Sequence, residues 1–243
     1  MIKSISIVIP FYNEKKRIFN CINEIRKFKP KKISTEFIFV DDGSKDGTDL
    51  IVKKFLKKFK VGKLLINSEN KGKGSALKLG VLQAKNKWIL TTDVDMSVRL
   101  NQILIWAKNK YLKKNCGIYF GSRDLKDSKV QARIYRKVLG IIFRFLIKTL
   151  LKIKIKDTQC GFKLYKKKIA KKIFRQLTLH KFEHDLEIVL IARKYRSNIT
   201  ELPINWTHKS GSKLNIFIDP FKMLYGIFLL SLRLIKFNNR SLR

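Results

Sequence analysis

The chain has 243 residues, and its 55 Lys and Arg against 18 Asp and Glu give a formal charge of +37 in a sequence that is still 45% hydrophobic. That apolar content excludes a disordered basic tail, and the length suits one large domain or two small ones with a sizeable core. So basic a chain attracts anions, and nucleic acid, an anionic membrane surface and phosphate-bearing substrates are the classes to separate.

Alternating short β-branched runs and helical stretches occupy the first 92 residues. Ser4–Ile9, Phe37–Val40, Lys63–Ile66 and Trp88–Thr92 read as strands, with amphipathic helices over Lys15–Phe28, Thr48–Phe59 and Ser75–Ala84 between them. This repetition predicts an α/β fold: a mostly parallel sheet with right-handed crossovers and flanking helices. Ligands of such sheets lie beyond the carboxyl ends of the strands. Pro10-Phe11-Tyr12-Asn13-Glu14 follows the first strand and Asp41-Asp42-Gly43-Ser44 the second. Glu69-Asn70-Lys71-Gly72-Lys73-Gly74 follows the third and Asp93-Val94-Asp95 the fourth.

Asp93 and Asp95, separated by Val94, put two carboxylates where a strand ends. Such a pair can hold Mg²⁺ or Mn²⁺ against a diphosphate, the phosphate and water completing the ion's shell. Asp42 can accept hydrogen bonds from a base or a ribose, while Ser44 or Asp46 caps the next helix. The basic, glycine-rich loop carrying Lys73 suits close approach to phosphates at a helix start. It lacks the GxxxxGK[ST] spacing, and the first strand–helix turn lacks GxGxxG, so neither a P-loop NTPase nor a dinucleotide-dependent dehydrogenase is expected. Cys21, Cys116 and Cys160 are too dispersed for a disulfide framework or a zinc site, which points to a reducing compartment. His180, His184 and His208 are scattered and read as solvated or structural.

VIPFYNE, VDDGSKDGT, ENKGKGSALKLG and TTDVDMS together resemble the nucleotide-sugar half of the inverting family 2 glycosyltransferases of GT-A fold. Downstream, GSR at 121–123, DTQCGFKL at 157–164, HDLE at 184–187, NWT at 205–207 and GSKL at 211–214 are similar to the dolichyl-phosphate β-glucosyltransferases and, less closely, to the dolichyl-phosphate mannosyltransferases. The resemblance implies that Pro10, Tyr12, Glu14, Val40 and Asp42 hold the nucleoside and that Asp93 and Asp95 face the metal and diphosphate. It also implies that Arg123 and Lys213 face phosphates and that Asp185 sits by the reacting centre. Ser97 stands where the mannosyltransferase relatives carry Gln as a third metal ligand. The activity implied is transfer of a hexose, glucose first, from a UDP-sugar to a polyprenyl or dolichyl phosphate. GDP-mannose as donor and a glycolipid or surface polysaccharide as acceptor are the alternatives.

Physical chemistry is consistent with that activity. A phosphomonoester is already anionic near neutral pH, its second pKa being about 6, so a strong base is unnecessary. Charge management is required instead, and Arg123, Arg133, Arg136 and Lys213 are the candidates for seating a second anion.

On a helical wheel the basic residues of Arg133–Ile153 fall within an arc of about 160°, and Lys222, Arg233 and Lys236 of Phe221–Phe237 within about 60°. Both segments therefore read as helices lying on an anionic membrane surface. We expect a catalytic domain over residues 1–215 and a membrane-associating helix over 216–243. No run approaches the roughly 20 apolar residues of a spanning helix, and no signal peptide is expected; the enzyme would act peripherally at the cytoplasmic face. The basic residues are spread along the chain with no zinc-finger, RNP-like or helix-turn-helix pattern, so no specific nucleic-acid partner is expected.

Overall fold

The structure, a computed structural model, describes residues 2–60, 62–113, 115–131, 149–181 and 183–209, together with 226, 228 and 230. Among these residues, nine strands and six helices follow in the order β1 (Ser4–Phe11), α1 (Ile18–Lys27), β2 (Ser34–Asp41), α2 (Thr48–Phe59), β3 (Gly62–Ile66), α3 (Lys73–Gln83), β4 (Trp88–Thr91), α4 (Gln102–Lys108), β5 (Ile118–Ser122), β6 (Lys129–Gln131), β7 (Lys163–Lys166), α5 (Lys167–Gln176), α6 (His184–Lys194), β8 (Ile199–Pro203) and β9 (Asn205–Thr207).

Seven strands form one sheet in the order β3-β2-β1-β4-β7-β5-β8, and β6 and β9 form a parallel pair beside it. All neighbours in the large sheet are parallel except β7, which runs antiparallel to β4 and to β5. The expected mostly parallel sheet therefore holds, with β7 as its antiparallel member.

Strand periodicity sorts the core into two layers. Ile5, Ile7, Ile9, Phe37 and Phe39 point to one face, where α1, α2 and α4 supply Ile18, Ile25, Val52, Phe55 and Trp106. Val8, Ile38, Val40 and Phe120 point to the other, against Ala76 and Leu77 of α3, Phe174 of α5 and Leu186 and Ile188 of α6. Each such fully buried side chain contributes about 1.5–3 kcal/mol of transfer free energy. Trp106 also satisfies its indole N–H, donating to the Pro203 carbonyl at 2.8 Å and so fixing α4 to the end of β8.

Two helix starts differ from expectation. Residues 14–17 form a turn, with the amides of Arg17 and Ile18 both donating to the Glu14 carbonyl, so α1 begins at Ile18 rather than Lys15. Helix α3 begins two residues early, at Lys73, because Gly72 at φ +102° turns the chain into it. At the start of α2 the cap position is Gly47, in the left-handed region, and Asp46 one residue before it accepts the Thr48 amide at 3.0 Å.

The connection from β1 leads to β2 on one side and that from β3 returns to β4 on the other, so the crevice between the carboxyl ends of β1 and β4 is the topological switch point. Of the two expected membrane segments, 133–153 and 221–237, all but residues 149–153, 226, 228 and 230 lie outside the described residues. Leu151 and Leu230 are buried in the second core layer. No helix among the described residues is long and apolar enough to cross a membrane.

Candidate active site

The loops after β1 and β2 are cross-braced. Ser44 Oγ accepts the Asn13 amide at 2.9 Å, Asn13 Oδ1 accepts the Lys45 amide at 2.8 Å, and Thr48 Oγ1 accepts the Glu14 amide at 3.0 Å. Asp41 turns back on its own loop, accepting the Ser44 amide at 3.0 Å, and burial raises its pKa above the usual carboxylate value. Asp42 organises the loop that leads into α3: it accepts the Asn67 side-chain amide at 2.8 Å, the Lys71 amide at 3.1 Å and the Gly72 amide at 2.7 Å. Three donors occupy most of the roughly four acceptor positions of a carboxylate. Of the other residues assigned to the nucleoside, Tyr12 is half-buried and Glu14 buried in the loop after β1, whereas Pro10 and Val40 are buried in the sheet.

Asp93 and Asp95 emerge just past β4. Lys73 places its ammonium 2.5 Å from Asp93 Oδ1. The carboxylate also sits against Gly161, where a Cβ would lie 2.3 Å from Asp93 Oδ2. Asp95 accepts the Ser97 amide at 2.9 Å, and Arg17 stands 3.7 Å from its other oxygen. The same guanidinium grips Glu14 with two nitrogens, so Arg17 links the loop after β1 to the carboxylates after β4. Burial, then the charge of Asp93, raises the pKa of Asp95. Burial opposes the charge on Lys73, but Asp93, then Asp185 and Asp95, outweigh it and lift its pKa above the ordinary lysine value. Val94, between the two carboxylates, is buried in the core.

Behind Lys73 lies a second acidic group. Asp185, in the first turn of α6, pairs with Lys163 of β7, and both are buried. Burial works against the Asp185 carboxylate, yet His184, Lys163 and Lys73 hold its pKa below the usual range. His184 is enclosed, with Nδ1 on the Lys181 carbonyl and Nε2 3.3 Å from Asp185, and burial lowers its pKa. Glu187 serves the scaffold, accepting the amides of Thr178 and Leu179 at 2.9 and 2.7 Å.

Arg123 leaves the end of β5 and forks onto Asp157, Nε at 2.7 Å and Nη2 at 2.8 Å, while its amide donates to the same carboxylate at 2.9 Å. Its guanidinium also lies 5.8 Å from the Trp206 ring centre. A cleft lined by Thr92, Asp93, Ser97, Val98, Cys160, Gly161, Phe162 and Trp206 runs from the carboxylates to that tryptophan. Cys160 is a free thiol whose pKa burial pushes up to about 12, so it stays neutral. Lys213, Arg133 and Arg136 lie outside the described residues.

The sequence reading brought Asp42, Lys73, Asp93 and Asp95 to one edge and singled out Asp185 behind them. It missed Arg17, hidden in the charged run Glu14-Lys15-Lys16-Arg17, and Lys163, whose signal is a lysine opening the strand KLYK.

Carboxylates and cations gathered at the switch point of a doubly wound sheet place the chain among α/β proteins whose ligand crevice lies at the carboxyl ends of the strands. Comparison with known proteins narrows the class: the chain belongs to glycosyl transferase family 2, which matches residues 6–174, and it is a glycosyltransferase. It is 35% identical to the dolichyl-phosphate β-glucosyltransferase of Dictyostelium discoideum, over 92% of this chain and 72% of that one. With the human dolichyl-phosphate β-glucosyltransferase it shares 32% identity, over 95% and 76%. Among solved structures it is similar in fold to glucosyl-3-phosphoglycerate synthase from Mycobacterium tuberculosis in complex with Mn²⁺, UDP and phosphoglyceric acid. That likeness has a TM-score of 0.71 at 13% identity, covering 94% of this chain and 78% of the other.

Proposed function

We propose that this chain transfers glucose, with inversion, from UDP-glucose to a dolichyl or related polyprenyl phosphate at the cytoplasmic face of a membrane. One observation carries the reading: at the switch point the Asp93 and Asp95 carboxylates meet the Lys73 ammonium, which also feels Asp185, itself paired with the buried Lys163. The names of the relatives supply the sugar and the acceptor, and the UDP and Mn²⁺ of the solved structures support the donor and the ion.

In this reading Tyr12, Glu14 and Asp42 flank the nucleoside, with Pro10 and Val40 as the floor beneath. Asp93 and Asp95 would hold Mg²⁺ or Mn²⁺, and two carboxylates suit a hard cation that keeps most of its shell for phosphate and water. When bound, the ion offsets the charge developing on the leaving diphosphate. Lys73 adds a cation beside that diphosphate. Arg123, with Lys213, Arg133 and Arg136, seats the acceptor phosphate, whose oxygen is the nucleophile. Asp185, kept ionised by Lys163 and Lys73, faces the positive charge that builds at the sugar carbon. Residues 1–215 would form the catalytic unit and 216–243 the segment that meets the lipid surface.

The test is transfer of radiolabel from UDP-glucose to a short-chain dolichyl phosphate with Mn²⁺ present. We expect β-linked glucose in the lipid phase and a loss of about 10²-fold or more in Asp95→Ala, at unchanged melting temperature. An Asp95→Ala variant with full activity, or glucose reaching no phosphorylated lipid, overturns the reading.

A further inference from the structure

The Asp93–Asp95 pair already has cations of the chain's own. Lys73 Nζ stands 2.5 Å from Asp93 Oδ1, and Arg17 stands 3.7 Å from Asp95 Oδ2. The other Asp95 oxygen accepts the Ser97 amide, and the Asp93 carboxylate sits in the space that a Cβ at Gly161 would fill. Among the described residues no group of three His, Cys, Asp or Glu side chains could hold a metal ion. An incoming divalent ion therefore finds two carboxylates and must dislodge an ammonium to use the first. Lys73 is also the first residue of α3. A cation there opposes the helix dipole, so helix stability does not explain the residue.

We propose that Lys73 is a resident counter-cation: without nucleotide it occupies Asp93 and competes with free divalent ions, and it releases Asp93 when a diphosphate offers it a second anion. The inference rests on the metal role proposed above for Asp93 and Asp95. It makes ion and diphosphate enter as a pair, each raising the other's affinity by the same factor. Lys73 thereby guards an anionic crevice that would otherwise stand open between turnovers, and keeps it closed to cations arriving without nucleotide. Arg17 acts alongside it at Asp95 but is anchored to Glu14, so Lys73 is the cation that moves.

The experiment is a Mn²⁺ titration followed by electron paramagnetic resonance, with and without UDP, on the full chain and on Lys73→Met, Lys73→Arg and Asp93→Asn. In the absence of UDP, Lys73→Met is expected to bind Mn²⁺ about tenfold more tightly than the unmodified chain, the loss of one like charge beside the ion. Lys73→Arg should behave as the unmodified chain does, Asp93→Asn should bind least, and the enhancement by UDP should shrink in Lys73→Met. If the unmodified chain binds Mn²⁺ with UDP but Lys73→Met gains nothing without it, or if Lys73→Arg gains as much as Lys73→Met, this inference fails and the metal role stands. If the unmodified chain takes up no Mn²⁺ even with UDP, the metal role fails and takes the inference with it. Melting temperatures verify folding, and Lys73→Gln replaces Lys73→Met in the same comparison if the latter does not fold.

Discussion

Lys163, in the strand between β4 and β5, pairs with Asp185 of α6 with side chains only 2% and 6% exposed. The ammonium also lies 4.6 Å from the centre of the Phe120 ring, so each charge depends on the other for solvation. Lys163→Met strands the Asp185 carboxylate and is expected to cost about 3–5 kcal/mol, read by urea denaturation. The double variant Lys163→Met with Asp185→Leu should lose less than the two single variants together. A Lys163→Met protein as stable as its parent would show that the pair is not closed to water.

Arg123 poses a different question, because Asp157 already holds it in a two-pronged grip while about one-third of its side chain stays exposed. Lysine keeps the charge but loses the fork. If Arg123 seats the acceptor phosphate, Arg123→Lys should raise the KM for dolichyl phosphate by about tenfold, the worth of one charged hydrogen bond, and leave the KM for UDP-glucose unchanged. A rise confined to the donor KM would assign Arg123 to the other phosphate.

The carboxylates that the structure gathers at the switch point share one property: they stand directly after apolar runs, where strand period and turn composition reveal position without tertiary knowledge. Asp42 and the Asp93–Asp95 pair were legible for that reason, and Lys73 is marked by the glycines that flank it at the start of α3. Arg17 was not, because four consecutive charged residues give no sign of which one turns inward; only its three-residue spacing from Glu14 hinted at the grip the turn creates. Lys163 lies 22 residues from Asp185 in sequence, and no local pattern links a lysine to so distant a carboxylate. The antiparallel β7 escaped for a related reason. It is four residues long and enters the sheet between β4 and β5 only after the chain has passed through β5, so its neighbours are set by packing rather than by sequence order.

The buried imidazole of His184 makes a prediction about acid. Its folded pKa is depressed, first by burial and then by Lys73 and Lys163, so between that value and about 6.5 the unfolded chain binds the extra proton. The stability it contributes is complete above about 6.5 and is lost as pH falls through the folded value. Urea midpoints should therefore drop from pH 7 toward pH 5, and His184→Gln should flatten that slope; an unchanged slope would place the acid sensitivity in other groups. Asp157 and Asp185, with pKa values below the usual carboxylate range, add a second decline only below about pH 4.

Gly161 and Asp93 provide the sharpest test of site geometry. A methyl group at Gly161 would sit 2.3 Å from one Asp93 oxygen and 2.6 Å from the other, far inside any real contact. The surrounding DTQCGFKL segment is held firmly, since Gly161's own carbonyl accepts the Thr91 hydroxyl at 3.0 Å, so the carboxylate must yield. A displacement of about 1 Å in a catalytic group costs on the order of 10²-fold in rate, and Gly161→Ala is expected to show that loss in kcat. The residue lies at the surface of the cleft rather than in the core, so its melting temperature should fall by only a few degrees, about 1 kcal/mol for a substitution outside the core. Normal turnover in Gly161→Ala would mean that Asp93 works from another position. A collapse in stability with proportionate loss of activity would mean that Gly161 serves the fold and not the carboxylate.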